Sequence, residues 1–212
     1  MPKFLITRPE HDDTTFLLSS FMNQTITFAK DKGFEVFDLH REKANKSNYE
    51  GLVKNNPEFI VFNGHGTINM VTGHKNQPLL IAGTNDYTLK SKTIYAISCQ
   101  SGVGLGSSSI KEGALSYTGY INDFILYYSP ELISRPLNDS TLKLFLEPSV
   151  ILVESLLKGN SINESHAKCK EKMVNNFKKM ISSNEEDYND MAQYLWWDIQ
   201  NFRTFTKTEI LD

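Results

Sequence analysis

Cysteine is almost missing from this chain: 212 residues contain two, Cys99 and Cys169. Two thiols are too few for a disulfide framework, so an apolar core must hold the fold and the expected setting is reducing and cytoplasmic. A basic excess is missing too. Lys and Arg total 22 against 25 Asp and Glu, for a net charge of -3, which excludes the electrostatic footprint of a nucleic-acid binder. No run approaches the ~18 apolar residues of a membrane span. The opening "MPKFLITRPEHDD" meets charge too early for the apolar region of a secretory signal. Internal repeats are also absent.

What is present is alternation of strand-length apolar runs with helical patterns. Lys3 to Thr7, Phe34 to Leu39, Phe59 to Asn63, Thr93 to Ser98 and Ala114 to Tyr120 read as buried strands. Thr14 to Lys32 reads as a helix with Asp13 as N-cap and Gly33 as C-cap, and a shorter helix lies around Asn48 to Lys54. Such spacing predicts right-handed βαβ crossovers, hence an α/β fold with a mainly parallel sheet and helices on both faces. Later the pattern turns helical: Thr141 to Lys158, then Ser161 with Glu164 as a capping box opening a helix to about Ile181. "SSNEEDYND" reads as a polar connector before a last helix, "MAQYLWWDIQNF", with Tyr194, Trp197 and Phe202 packing back. Length predicts one domain over 1–212, with a core at about 3–160 and C-terminal helices at about 161–205. The lysines from Lys168 to Lys179 read as a solvated face. "REKANKSN" and "GTNDYTLKSK" are the most loop-like, protease-accessible stretches.

Two apolar runs break into reactive residues. "FNGHG" puts His65 two residues past the third strand, and "AISCQSG" puts Cys99 directly past the fourth. Groups that follow parallel strands collect at the carboxyl edge of the sheet, where ligands bind. There an imidazole can take the thiol proton and later protonate a leaving amine. Glycines let the chain turn around His65, and the amides of Gly66 and Cys99 are candidate oxyanion donors. His74 is the rival imidazole, and Cys169, inside a helix, is expected to be inert. His65, His74 and Cys99 have no metal-site spacing, so no metal or cofactor is expected.

A strand ending in His-Gly, followed by a strand ending in a small residue and Cys, resembles the caspase-like cysteine peptidases of clan CD, especially gingipain-like and CHAT-type members. The likeness spans roughly Lys3 to Phe124. It implies a caspase-like three-layer sandwich and a cysteine endopeptidase performing limited proteolysis, with Cys99 as nucleophile and His65 as general acid and base. It also implies peptide or protein substrates and a regulatory protein partner. Ile97 stands where caspases carry Gln. In the resembling families the specificity pocket lies at the ends of the first strand, the nucleophile strand and the next. Asp123, Asp12 and Asp13 are then the candidate pocket acids, selecting Arg or Lys. Arg8 argues oppositely unless an acid such as Glu10 or Asp12 pairs with it. The alternatives are a catalytically silent interaction module of the same fold, and a nucleotide-binding protein using "GVGLGSSS" as a phosphate loop with Asp123 downstream.

Overall fold

The computed structural model describes residues 1–184 and 186–207. In chain order its elements are β1 (Lys3–Arg8), α1 (Asp13–Asp31), β2 (Glu35–His40), α2 (Lys46–Val53), β3 (Phe59–Asn63), β4 (Gly66–Thr67), β5 (Met70–Thr72) and β6 (Pro78–Ile81). Then come β7 (Thr93–Ile97), α3 (Ser107–Lys111), β8 (Ser116–Tyr120), α4 (Ser140–Leu157), α5 (Ile162–Ile181), α6 (Glu186–Asn201) and β9 (Phe202–Thr206).

The period of two along each strand sorts side chains into two cores. Phe4 and Ile6 of β1, Phe59 and Val61 of β3, and Tyr95 and Ile97 of β7 join α1, α4, α5 and α6 on one face. Leu5, Ile60, Phe62, Ile94 and Ala96 face the other way, against Tyr49 and Val53 of α2 and against Leu79 and Leu80 of β6. Apolar residues on both faces of every central strand are what a covered parallel sheet requires. The sheet order is β2-β1-β3-β7-β8-β9, with β4, β5 and β6 as a separate antiparallel sheet. All pairings of the large sheet are parallel except β8 with β9. The expected mainly parallel α/β fold, with helices on both faces, is therefore what the chain adopts.

Several local expectations need correction. Asp12, not Asp13, caps α1: it closes a capping box with Thr15, and Asp13 is already helical. The Ser161 and Glu164 box opens α5 as expected. The expected connector "SSNEEDYND" is shorter than its composition suggests, since α6 starts at Glu186; Glu185 lies outside the described residues. Phe202 belongs to β9 and not to the last helix. Of the two stretches expected to be open loops, the first stays largely exposed and the second is partly built in. Asn45 caps α2 within the first, and Asn85, Asp86 and Lys92 in the second are 5% exposed or less. Their polar side chains point into hydrogen bonds, which composition cannot reveal. No helix among the described residues is long and apolar enough to cross a membrane.

Candidate active site

The register of β3 on β7 decides where the two reactive residues meet. Asn63 pairs with Ile97, and His65 and Cys99 each lie two residues farther along, at the same level beyond the carboxyl edge. The residue after His65, Gly66, packs closely on the Ser98–Cys99 turn. A Cβ built on Gly66 would lie 2.7 Å from the Cys99 carbonyl oxygen and 2.9 Å from Ser98 Cβ. Only glycine fits there, because any side chain would push the His65 segment off the Cys99 turn.

A third group completes the set. Asp12 divides its carboxylate: Oδ1 accepts from the Thr15 amide at 2.8 Å and the Thr15 hydroxyl at 2.8 Å, and Oδ2 accepts from His65 Nε2 at 2.7 Å. Burial pushes the Asp12 carboxyl up, yet the Thr15 amide and the His65 ring outweigh it and hold it below the usual aspartate value. Helix capping thus aims a carboxylate at the imidazole. With Nε2 engaged by Asp12, Nδ1 is the nitrogen left for proton transfer. His74, the rival imidazole, has its ring 5.5 Å from that of His11, and its Nε2 faces Glu42 at 4.0 Å. The carboxylate partner belongs to His65. Both oxygens of Asp12 are committed here, so it is not a free pocket acid. Asp13, the other acid of this loop, accepts from the Tyr128 hydroxyl at 3.0 Å.

Cys99 is partly buried, and its Sγ lies 3.9 Å from the Phe124 carbonyl oxygen. Burial raises the thiol; the Phe124 contact opposes the rise, while Asp123 and Asp198 add to it. A thiol held protonated needs a base at hand before it can attack. Cys169 is wholly buried in α5 and pushed far up by burial alone, which fits the expectation that it is inert.

The wall beside Cys99 is the segment after β8, and α6 holds it. Ile121 donates its amide to the Asn201 carbonyl at 3.0 Å, Trp197 Nε1 donates to the Asp123 carbonyl at 2.9 Å, and the Ile125 amide donates to Asp198 Oδ1 at 3.0 Å. Asp123 itself is exposed, and its carboxylate accepts from Gln100 Nε2 at 2.8 Å. Asp198 has no exposure, and its Oδ2 has no partner. Its role is missed when α6 is treated as an accessory helix. A signal was present, since Asp198 falls on the apolar stripe of Leu195, Ile199 and Phe202, where an acid is out of place.

Burial raises the Asp198 carboxyl well above the ordinary 3.8, against the opposing pull of the Ile125 amide. A raised folded-state value means folding favours the protonated acid. That contribution is full below the ordinary value and is lost as pH rises through the folded one. Asp198→Asn keeps an acceptor for Ile125 without a charge to bury. It is expected to melt above wild type by about 2–4 °C or more at pH 8, with the gain vanishing near pH 4. Thermal melts at both pH values check this; an equal shift at both would exclude ionisation as the cause.

Two other expectations are settled by hydrogen bonds. Arg8 forks onto Asp38, with Nε to Oδ1 at 3.0 Å and Nη2 to Oδ2 at 2.6 Å. It pairs with neither Glu10 nor Asp12, and it is not free to select acidic substrates. Glu10 instead accepts from Ser19, Arg41 and His40; burial pushes it up, but these partners bring it down to about 2. Arg8, Glu10 and His40 line a cavity of 490 Å³ with Arg135 and Leu137, and neither His65 nor Cys99 borders it. In the glycine-rich turn, the amides of Val103, Gly104, Leu105 and Gly106 donate to the carbonyls of Gln100, Ile68, Ile68 and Ser101. These donors are spent internally, so the turn is no phosphate cradle.

No protein-family model and no curated protein sequence matches the chain. Solved structures do. The Arg-specific cysteine proteinase gingipain R superposes with a TM-score of 0.59 at 11% identity, over 97% of this chain and 46% of that one. The complex of the pro- and mature domains of this proteinase from Porphyromonas gingivalis gives 0.59 at 10% identity, over 99% and 48%. The chain thus spans about half the length of these structures. Identity this low speaks for architecture alone, and the architecture is the caspase-like α/β fold of gingipain R.

Proposed function

We propose that this chain is a cysteine endopeptidase, with Cys99 as nucleophile, His65 as general acid and base, and Asp12 as the group that orients His65. The observation that carries the reading is the 2.7 Å bond from His65 Nε2 to Asp12, on a residue whose neighbour Gly66 packs against the Cys99 turn. A silent module has no need of an oriented base beside a thiol. His65 Nδ1 takes the Sγ proton as sulfur attacks the scissile carbonyl, and the imidazolium, stabilised by Asp12, returns that proton to the departing amine. Water then attacks the thioester, with His65 again as base. For the oxyanion, the Gly66 amide is well placed. The Thr72 amide donates to the His65 carbonyl at 2.9 Å, so the next register pair, Gly66 with Val71, takes the non-hydrogen-bonded position and turns its amide outward. The Cys99 amide is the second donor.

The same proposal covers selectivity. Asp123 follows β8 and precedes Phe124, whose carbonyl meets the sulfur. A carboxylate beside the nucleophile favours a cationic side chain just before the scissile bond. Gingipain R, which shares the fold, is itself Arg-specific. A peptide library assayed with wild type and Cys99→Ala tests both parts. Cleavage after Arg or Lys is expected, with Asp123→Ala losing at least about tenfold on these substrates and little on neutral ones. Cleavage after Asp, or an unchanged Asp123→Ala profile, would overturn the pocket assignment.

A further inference from the structure

Asp12 Oδ2 faces a second imidazole besides His65. His11 Nε2 lies 3.4 Å from that oxygen, on a side chain only 9% exposed. The ligand atoms of His11, Asp12 and His65 all fall within 4.8 Å of one another. Two imidazole nitrogens and one carboxylate oxygen converge on a small volume, open to solvent on the side of His65 and Asp12, whose side chains are each 37% exposed. Neighbouring ligands of a tetrahedral zinc ion, each about 2.0–2.1 Å from the metal, stand roughly 3.3 Å apart. The His11 to Asp12 distance already matches that edge, and the His65 to Asp12 pair must open by a few tenths of an ångström.

His11 is held from its ring and from its backbone. Its Nε2 points toward Asn76 Oδ1 at 3.0 Å and toward Asp12, while its Nδ1 is buried with no partner. Its backbone is pinned as well, because the His11 amide donates to Thr15 Oγ1 at 3.1 Å. The loop that caps α1 therefore fixes His11 and Asp12 together, opposite His65.

We propose that His11, Asp12 and His65 form a site for a divalent transition-metal cation of the zinc class, with water in the fourth position, and that its occupation switches the peptidase off without touching the sulfur. The switching part rests on the peptidase reading above; the binding part does not. When a cation takes the Nε2 lone pair of neutral His65, the single ring proton moves to Nδ1. That is the nitrogen needed to receive the Cys99 proton, so the general base disappears while the thiol stays free. The donor set of two histidines and one carboxylate, with one position open, suits zinc among available cations.

Zinc chloride titrated against a chromophoric chelator, with the protein as competitor, reads the binding part on Cys99→Ala. One equivalent is expected, and Cys99→Ala combined with His11→Gln should bind at least tenfold more weakly. Equal affinity in the two proteins, or zinc binding by wild type that Cys99→Ala abolishes, would overturn the site; the latter would place the metal on sulfur. On the wild-type enzyme, zinc should stop peptide cleavage reversibly on addition and removal of a chelator, and His11→Gln should need at least tenfold more zinc for half inhibition. Equal half-inhibiting zinc concentrations for wild type and His11→Gln would defeat the switching part. A chain that binds zinc as described but cleaves no peptide under chelator would refute the peptidase reading and the switch, and leave the metal site standing.

Discussion

Cys99→Ala is expected to abolish peptide cleavage, with kcat/KM falling by about 10⁴-fold or more, while circular dichroism and the melting temperature stay near wild type. The size follows from the chemistry. Sulfur is the group proposed to form the acyl intermediate, and neither an oriented imidazole nor an oxyanion site replaces a missing nucleophile. The fold has little to lose, because Cys99 sits beyond the end of β7 in a turn and is only partly buried. His65→Ala should cost a similar factor. The burial that raises the thiol leaves too little thiolate to act unaided. The two residues work as one unit, so the double variant should be hardly worse than either single one. Fluorogenic peptide turnover with active-site titration measures all three. A Cys99→Ala protein cleaving at the wild-type rate would end the peptidase reading.

The second large effect separates the two duties of Asp12. Asparagine caps helices about as well as aspartate, so Asp12→Asn should still accept from the Thr15 amide and keep the melting temperature. Toward His65, however, it presents an NH₂ group, which cannot accept from Nε2 and forces the proton onto Nδ1. Loss of the correct tautomer is expected to lower kcat by about 10²–10⁴-fold. Asp12→Ala loses the cap as well, at about 1 kcal/mol, and should melt about 2–4 °C lower. Comparable kcat values for Asp12→Asn and wild type would show that the His65 contact serves only the fold. Rate and melting temperature, read together, distinguish a catalytic carboxylate from a structural one.

The legible parts of this molecule are those set by periodicity. Phe59 to Asn63 is apolar throughout, and it is a central parallel strand covered on both faces. His65 and Cys99 could be placed because each follows such a strand directly, and a parallel sheet has one functional edge. Other features depend on contacts across long stretches of chain. The pairing of β9 with β8 joins residues 86 apart at Thr118 and Thr204, and "FRTFT" carries no cue naming its partner. The short β4 to β6 sheet is hidden by its two- to four-residue strands, which fall below the length at which alternation is readable. Asp12 and Asp13 are adjacent acids, and choosing between them as caps depends on Thr15, since the box needs a partner three residues on. The aim of Asp12 at His65 then follows from β1 lying beside β3, a fact of topology and not of local sequence.

The clamp of α6 and β9 on the nucleophile wall has a consequence for the order of events during synthesis. The ribosome makes β7 and Cys99 well before α6, and the amides of Ile121 and Ile125 find their acceptors on Asn201 and Asp198. Until that last stretch emerges, β8 lies at the sheet margin without its antiparallel neighbour, and the wall beside the sulfur has no anchor. A nascent chain therefore carries Cys99 without a finished wall beside it. On the peptidase reading proposed above, the cleft beside Cys99 is complete only when β9 has docked on β8.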